Sequence, residues 1–349
     1  MKKILFAVSC IVAALGLQSC NNDKGPSVPE SRSIRLEVTA VGAAGTRMTG
    51  VTAQDGRHDS ADEAKVNSLQ VFVFNGDALD GYNASTTKSV SVSCSSGPRE
   101  IYAVVNAPSL SEITTKTALM SAVSVLSVNA TNFEMIGSKS ETLQQDGSIS
   151  IAVDRLAARV VIRGIKNSLS NEAQAANFKI LAVYLTNVTG DVNYGKSPDY
   201  TVSTWYNKRG YQAQNNLGVF TYDAVNQTVA AGATNNTEHY FYTMPNGNPG
   251  AIGGAFTPRA CRLVIRCEIA GSVYDYPILI GAVESNKSYE INLVDITRAG
   301  NVDDGNEPDD EHPDDTDEEE PVVGFEQSFE VTVNDWSVIL LGNEGVVTI

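Results

Sequence analysis

The sequence predicts a mainly β chain arranged as two tandem β-sandwich domains, with one short helix and long loops. Three observations carry that expectation. Short runs in which apolar and polar residues alternate recur along the chain. The stretches between them are rich in Gly, Asn, Ser and Thr, as sandwich turns are. No regular alternation of strand and helix patterns of the kind that builds a parallel α/β sheet interrupts them. At 349 residues the chain has room for two domains.

At the N-terminus, Met1-Lys2-Lys3 precedes the apolar run Ile4–Leu17, which is too short to span a bilayer and reads as a secretory signal. It ends in Leu17-Gln18-Ser19-Cys20, which resembles a bacterial lipobox with Cys20 as the lipidated (palmitate-bearing) residue. The polar stretch Asn21–Glu30 suits a tether between a lipid and a fold. Ile34, Leu36, Val38 and Ala40 then alternate with Arg35, Glu37 and Thr39 as in a half-buried strand. Leu69–Phe74 is apolar on both faces and is expected to be a central strand. Ser89–Cys94 and Glu100–Val105 flank Ser95-Ser96-Gly97-Pro98 and read as a hairpin. Pro108–Leu126 is the helix candidate, with Leu110, Ile113, Ala118, Met120 and Val123 on its apolar side. Further strands are expected at Ser148–Val153, Arg159–Ile165, Phe178–Val188, His239–Thr243, Arg262–Ile269, Tyr274–Ile280 and Tyr289–Thr297. Asp191–Asn236 reads as long surface loops, and a domain boundary is placed at Asp154.

The formal net charge is -16, but the excess is local. Residues 301–321 hold 12 acidic residues and no Lys or Arg, leaving 29 acidic against 25 basic elsewhere. Such a body offers no basic surface for nucleic acid. The acidic block, with its prolines, is expected to be an extended, solvated linker. Beyond it Phe329, Val331 and Val333 alternate, then Trp336, Val338 and Leu340, and the chain ends in Val346-Val347-Thr348-Ile349.

The chemistry-bearing residues point away from catalysis. There are three His (His58, His239, His312), and no nucleophile-elbow, zinc-protease, phosphate-loop or dinucleotide motif occurs. Gly250–Gly254 is a loose glycine cluster without the helix a phosphate loop needs. Cys94, Cys261 and Cys267 are spaced for neither a disulfide framework nor a metal site, and read as small buried thiols. No metal or cofactor is expected. A binding-module alternative rests on Trp205, Tyr206, Tyr211, Tyr222, Tyr240 and Tyr242, aromatic residues in loop-rich sequence that can stack on glycans or contact host proteins.

Several segments, in order, resemble the fimbrillins, the fimbrial (pilus) subunits of Bacteroidia. Lys65–Gly76 is similar to that family's first strand after its processing site. Cys94–Arg99 with Ile101–Asn106 resembles the next hairpin, Arg155–Ile162 the strand joining the two domains, and Phe329–Gly342 with Trp336 the C-terminal strands. The resemblance implies transthyretin-like, Greek-key sandwich domains at 48–154 and 155–349, preceded by a signal at 1–20 and a removable strand at 21–47. The second would include the acidic linker 301–321 and donor strands at 325–349. It also implies export as a lipoprotein, cutting by an Arg-specific protease, and polymerisation in which a neighbour's C-terminal strand fills the vacated groove. The neighbours would be further copies, with tip and anchor subunits at the ends. The expected cut falls between Arg47 and Met48, with Arg57 as runner-up. The expected removable strand carries Ile34, Leu36 and Val38, and the donor carries Phe329, Val331, Val333, Trp336, Val338 and Leu340.

Overall fold

The computed structural model describes residues 32–42, 63–129, 132–248, 259–302, 331–334, 336–341 and 345–349. The signal segment, Cys20, Arg47, Met48, Arg57, Gly250–Gly254, Phe329 and nearly all of the acidic block lie outside these residues.

The chain is mainly β. Its first part consists of β1 (Ser33–Gly42), β2 (Leu69–Asn75), β3 (Ala78–Ser85), β4 (Ser89–Ser95), β5 (Gly97–Val105), β6 (Val123–Val125), β7 (Met135–Leu143) and β8 (Gly147–Arg155). All but β6 join one seven-stranded sheet in the order β3-β2-β5-β7-β8-β1-β4. The sheet folds over on itself, because β7 and β8 share only Met135 and Ile136 opposite Arg155 and Asp154 before they part. Its buried residues form a core that includes Leu36, Val38, Leu69, Phe72, Ile101 and Val153. β2 is the central strand its sequence predicts, paired on both edges and buried from Leu69 to Phe74.

Two expectations fail in this part. Ser89–Cys94 and Glu100–Val105 are strands but not a hairpin: β4 pairs with β1, and β5 with β2 and β7. The connection, with Gly97 at φ +112°, carries the chain across to the opposite side of the sandwich. The helix foreseen over Pro108–Leu126 shrinks to α1 (Lys116–Ser121), capped by the Thr115 side chain accepting from Ala118 N at 3.1 Å. Upstream, Leu110 N donates to Gln70 Oε1 on β2 at 2.8 Å and Ile113 N to Leu110 O at 3.1 Å, so a turn pinned to β2 stands where helix was expected. Downstream, Val123–Val125 forms β6 before the short α2 (Leu126–Asn129), as the β-branched pair favours.

The second part runs through β9 (Ala158–Ile162), β10 (Ile165–Asn167), α3 (Glu172–Ala176), β11 (Phe178–Thr186), β12 (Val188–Thr189), β13 (Asp191–Asn193), β14 (Trp205–Tyr206), β15 (Tyr222–Thr228) and β16 (Thr234–Asn235). It continues with β17 (His239–Thr243), β18 (Cys261–Ile269), β19 (Ser272–Gly281), β20 (Lys287–Ile291), β21 (Leu293–Ile296), β22 (Asn301–Val302), β23 (Val331–Asn334), β24 (Trp336–Leu340) and β25 (Val346–Thr348). The main sheets are β15-β11-β18-β19-β22, β17-β9-β20-β24-β23 and β16-β10-β21-β25. The last two are linked: β9 runs into β10 and β20 into β21 as a parallel pair bending together, with Arg163 N donating to Ile291 O and Val294 N to Gly164 O. The short pair β6–β13 joins the two parts of the chain.

Residues 191–236, expected to be surface loop, are mostly half-buried or exposed turns and loops, but they also hold β13–β16 and several buried polar side chains. Asp191, 1% exposed, accepts from Tyr200 Oη at 2.8 Å, Ser203 N at 3.0 Å, Ser203 Oγ at 2.6 Å and Thr204 N at 2.6 Å. Asn207 Nδ2 donates to Leu185 O at 2.8 Å. Side chains that read as loop polarity take the place of ladder bonds here.

Candidate functional site

The arrangement that stands out is the setting of β1. It lies inside a sheet, with β4 antiparallel on one edge and β8 parallel on the other. Ile34, Leu36 and Val38 stand opposite Cys94, Val92 and Val90 on β4. On β8, Leu36, Val38 and Ala40 stand opposite Gly147, Ile149 and Ile151. Ile34, Leu36, Val38 and Ala40 are 0–2% exposed, while Arg35 and Glu37 between them are exposed, so the alternation in the sequence becomes an in/out alternation. Burying Ile34, Leu36 and Val38 contributes on the order of 5–9 kcal/mol before ordering costs. Both ends are tied: Ser96 N donates to Arg32 O at 2.7 Å and Ala40 N to Lys88 O at 2.9 Å. Arg35 N donates to Asp146 Oδ1 at 2.9 Å.

Without β1 the two walls would be nearly unpaired. β4 has no other ladder, and β8 keeps only its short pairing with β7. The gap would be an apolar slot with two rows of open backbone groups, one antiparallel and one parallel, suited to a single extended strand.

Where the described chain resumes after β1, Glu63 is 2% exposed and firmly held. Its carboxylate accepts from Arg159 Nη1 at 2.9 Å and from the Tyr242 hydroxyl, and its backbone carbonyl accepts from Arg155 Nε at 2.9 Å. Arg159 also reaches Glu290 at 3.3 Å, and Arg163 bridges Glu290 at 2.6 Å and Glu238, a chain of alternating charges along β9 and β20. Desolvation opposes the charge on both guanidiniums, but the carboxylates around them outweigh it and raise their pKa values. Gly42 at the end of β1 stands opposite Val153, two residues before Arg155. The segment carrying Arg47 and Arg57 thus leaves and rejoins the described chain at one end of β8.

The C-terminal segment lies elsewhere. Val331 and Val333 fall in β23, and Trp336, Val338 and Leu340 in β24; these form an antiparallel pair, with Val331 opposite Ile339. β24 runs parallel to β20, with Glu290 opposite Leu340, and β23 is the outermost strand of that sheet. β25 adds parallel to β21. Within one chain β1 and the C-terminal strands therefore sit in different sheets and do not meet.

The other candidates resolve as packing. Cys94, Cys261 and Cys267 are free and buried. Burial pushes Cys261 up to about 12. His239 is 2% exposed, with Nδ1 2.9 Å from Asp223 Oδ2. The aromatic residues do not gather into one platform. Trp205 and Tyr242 are buried, Tyr240 donates to Glu238, and Tyr211 and Tyr222 pack with the buried Tyr184 at 5.8 Å each. Among the described residues no group of three or more His, Cys, Asp or Glu is placed to hold a metal.

Sequence reasoning missed the residues that support the slot. Asp80-Gly81 looks like a turn pair but lies within β3, and Gly137 looks like any strand glycine. Only the folded chain brings them against the slot's walls.

Residues 34–150, about a third of the chain, match the family model described as major fimbrial subunit protein (FimA). No curated protein sequence matches. Among solved structures, a candidate cell adhesion protein from Bacteroides eggerthii is 20% identical, with TM-score 0.60 over 90% of this chain and 98% of that one. A fimbrilin (FimA) from Porphyromonas gingivalis is 15% identical, with TM-score 0.53 over 76% of this chain and 91% of that one. A candidate cell adhesion protein from Parabacteroides distasonis is 15% identical, with TM-score 0.51 over 77% and 94%.

Proposed function

We propose that this chain, a FimA-like fimbrillin by its family match and fold, is a structural subunit of a cell-surface fimbria that polymerises by strand exchange. Its fimbrial family supports a structural or adhesive role in a pilus, in association with other fimbrial subunits. The finer steps extend this reading, and the setting of β1 supports the last of them. The precursor is exported as a lipoprotein held at the outer membrane through Cys20. An Arg-specific protease cuts after Arg47, or after Arg57. β1 is then joined to the body by ladder bonds and packing alone, and it departs with the lipid.

The vacated slot takes the C-terminal strand segment of a neighbouring subunit, Phe329–Leu340. Its alternating side chains fill the places of Ile34, Leu36 and Val38 while its backbone restores both ladders. Within one chain the two segments lie in different sheets, which supports donation from one chain to another. A head-to-tail contact of this kind does not close, and it yields a fibre. The observation that carries the reading is an N-terminal strand buried between two other strands and severable by one cut. N-terminal sequencing of the surface-extracted protein tests it: a start at Met48 supports the reading, and a blocked chain beginning at an acylated Cys20 in assembled material defeats it.

A further inference from the structure

We propose that Asp80, Gly81 and Asn83 are positioning residues that hold β4 as the outer wall of the slot once β1 has left, so that the incoming strand meets a formed groove. The inference rests on the strand-exchange reading above.

β3 and β4 are consecutive in sequence yet stand at opposite ends of the sheet order, with no ladder between them. They nevertheless lie side by side, and side chains of β3 take the place of the missing bonds. Asn83 Nδ2 donates to Ser91 O at 2.7 Å. Asp80 accepts from Ser95 N at 2.8 Å and Ser95 Oγ at 2.9 Å, and its Oδ2 takes Arg99 Nε at 2.7 Å. Burial disfavours the Asp80 charge, but the hydrogen bonds from Arg99 and Ser95 prevail and keep its pKa below the usual carboxylate value. Between these two hooks Gly81 sits so close that a Cβ would lie 2.4 Å from Ser93 O.

The three contacts fall on Ser91, Ser93 and Ser95, alternate residues of one strand. The residues between and beside them, Val90, Val92 and Cys94, are those that stand opposite Val38, Leu36 and Ile34. β4 is thus gripped along its β3 side and leaves its apolar positions to the slot. The other wall has a matching device: a Cβ on Gly137 of β7 would lie 1.9 Å from Ala152 O on β8. A wall held from behind keeps its spacing when its ladder partner is withdrawn, and the incoming strand does not have to order it again.

The test uses the full-length chain with a site-specific protease sequence inserted after Arg47, and a synthetic peptide of residues 325–341 as the incoming strand. Asp80→Asn with Asn83→Ala is compared with the unsubstituted chain, before and after cutting. Uncut, both proteins are expected to show slow amide exchange at Val90, Val92 and Cys94, since β1 still pairs with that edge of β4. After cutting, the substituted protein is expected to capture the peptide about tenfold more weakly, as suits the loss of two hydrogen bonds. Equal capture overturns the inference, as does fast exchange in the uncut variant alone, which would make the hooks general supports. The single variant Asn83→Ala, at an exposed position, supplies the comparison if Asp80→Asn impairs folding. Should the cut, unsubstituted chain take no peptide at all, the strand-exchange reading itself fails and this inference with it.

Discussion

Ile34 and Cys94 stand opposite each other across the β1–β4 ladder, 2% and 5% exposed, so the thiol lies beside the strand proposed to leave. Burial, with the nearby Asp80 carboxylate adding to it, raises the pKa of Cys94 and keeps it unreactive. Loss of β1 would open the slot beside this side chain. A thiol reagent such as Ellman's is expected to label the uncut protein slowly and the cut protein at least tenfold faster once β1 is displaced. Cys94→Ser should abolish the fast phase, since Cys261 and Cys267 are each 0% exposed in strands away from the slot. An unchanged labelling rate after cutting would mean that β1 stays bound.

The buried charge chain predicts a stability effect at the start of β9. Arg159 serves both Glu63 and Glu290 with its side chain 12% exposed. Arg159→Ala would leave two buried carboxylates without this cation, a change that costs about 3–5 kcal/mol. Urea unfolding of the uncut protein should show a midpoint shift of that order. Glu63→Gln, which retains a side-chain acceptor, should cost less. A loss for Arg159→Ala no larger than that of an exposed Lys→Ala substitution would contradict the role given to this chain of charges.

These two sites show what the sequence can and cannot disclose. The strand β1 was legible because the two-residue period of Ile34, Leu36, Val38 and Ala40 is a local property, and so was β2. The partners of β1 were not legible. β4 follows β1 by some fifty residues and β8 by more than a hundred, and neither spacing leaves a local trace. The hairpin expected between Ser89 and Val105 failed because turn residues mark a change of direction without saying which strand lies alongside. Asp80-Gly81 gave no sign of its role: its chemistry suits a turn, and in the fold it serves a close approach. Asp191 and Asn207 read as loop polarity until their burial showed them organising backbone.

Glu134 yields a pH dependence. It is 1% exposed immediately before β7 and accepts from the Tyr194 hydroxyl next to β13, across the junction of the two parts. Desolvation raises its pKa above 4.5, and hydrogen bonds from Tyr194 and Ser124 only partly oppose this. A carboxyl with a raised folded-state pKa stabilises fully below its unfolded value, and that contribution is lost as pH rises through the folded value. At neutral pH the ionised Glu134 is therefore a liability. Glu134→Gln should melt a few degrees higher than the unsubstituted protein at pH 7, and the gain should vanish as pH falls toward 4.5. Thermal unfolding at several pH values checks both the sign and the window; a gain that grows on acidification would refute the assignment.

The C-terminal strands supply the last prediction. β24 adds to β20 in parallel at the edge of a sheet, and β23 lies outside it, so removing both opens no gap between remaining strands. Leu341 and Val347 are buried, 0% and 2% exposed, so some loss of stability in the second part is expected as well. Deleting residues from Phe329 onward should leave a chain that is exported and cut but forms no polymers. It should still cap growth of the full-length protein when the two are mixed, because its slot for a neighbour's strand is intact. Deleting only Val346–Ile349 separates the two effects: stability falls, yet the segment proposed to leave remains, and polymers should form at a reduced rate. Electrophoresis without boiling reads the outcome as ladders. Ladders from the chain shortened at Phe329 would show that another segment fills the slot, whereas their absence with retained capping, together with polymers from the chain lacking only Val346–Ile349, would place the donor between Phe329 and Gly345.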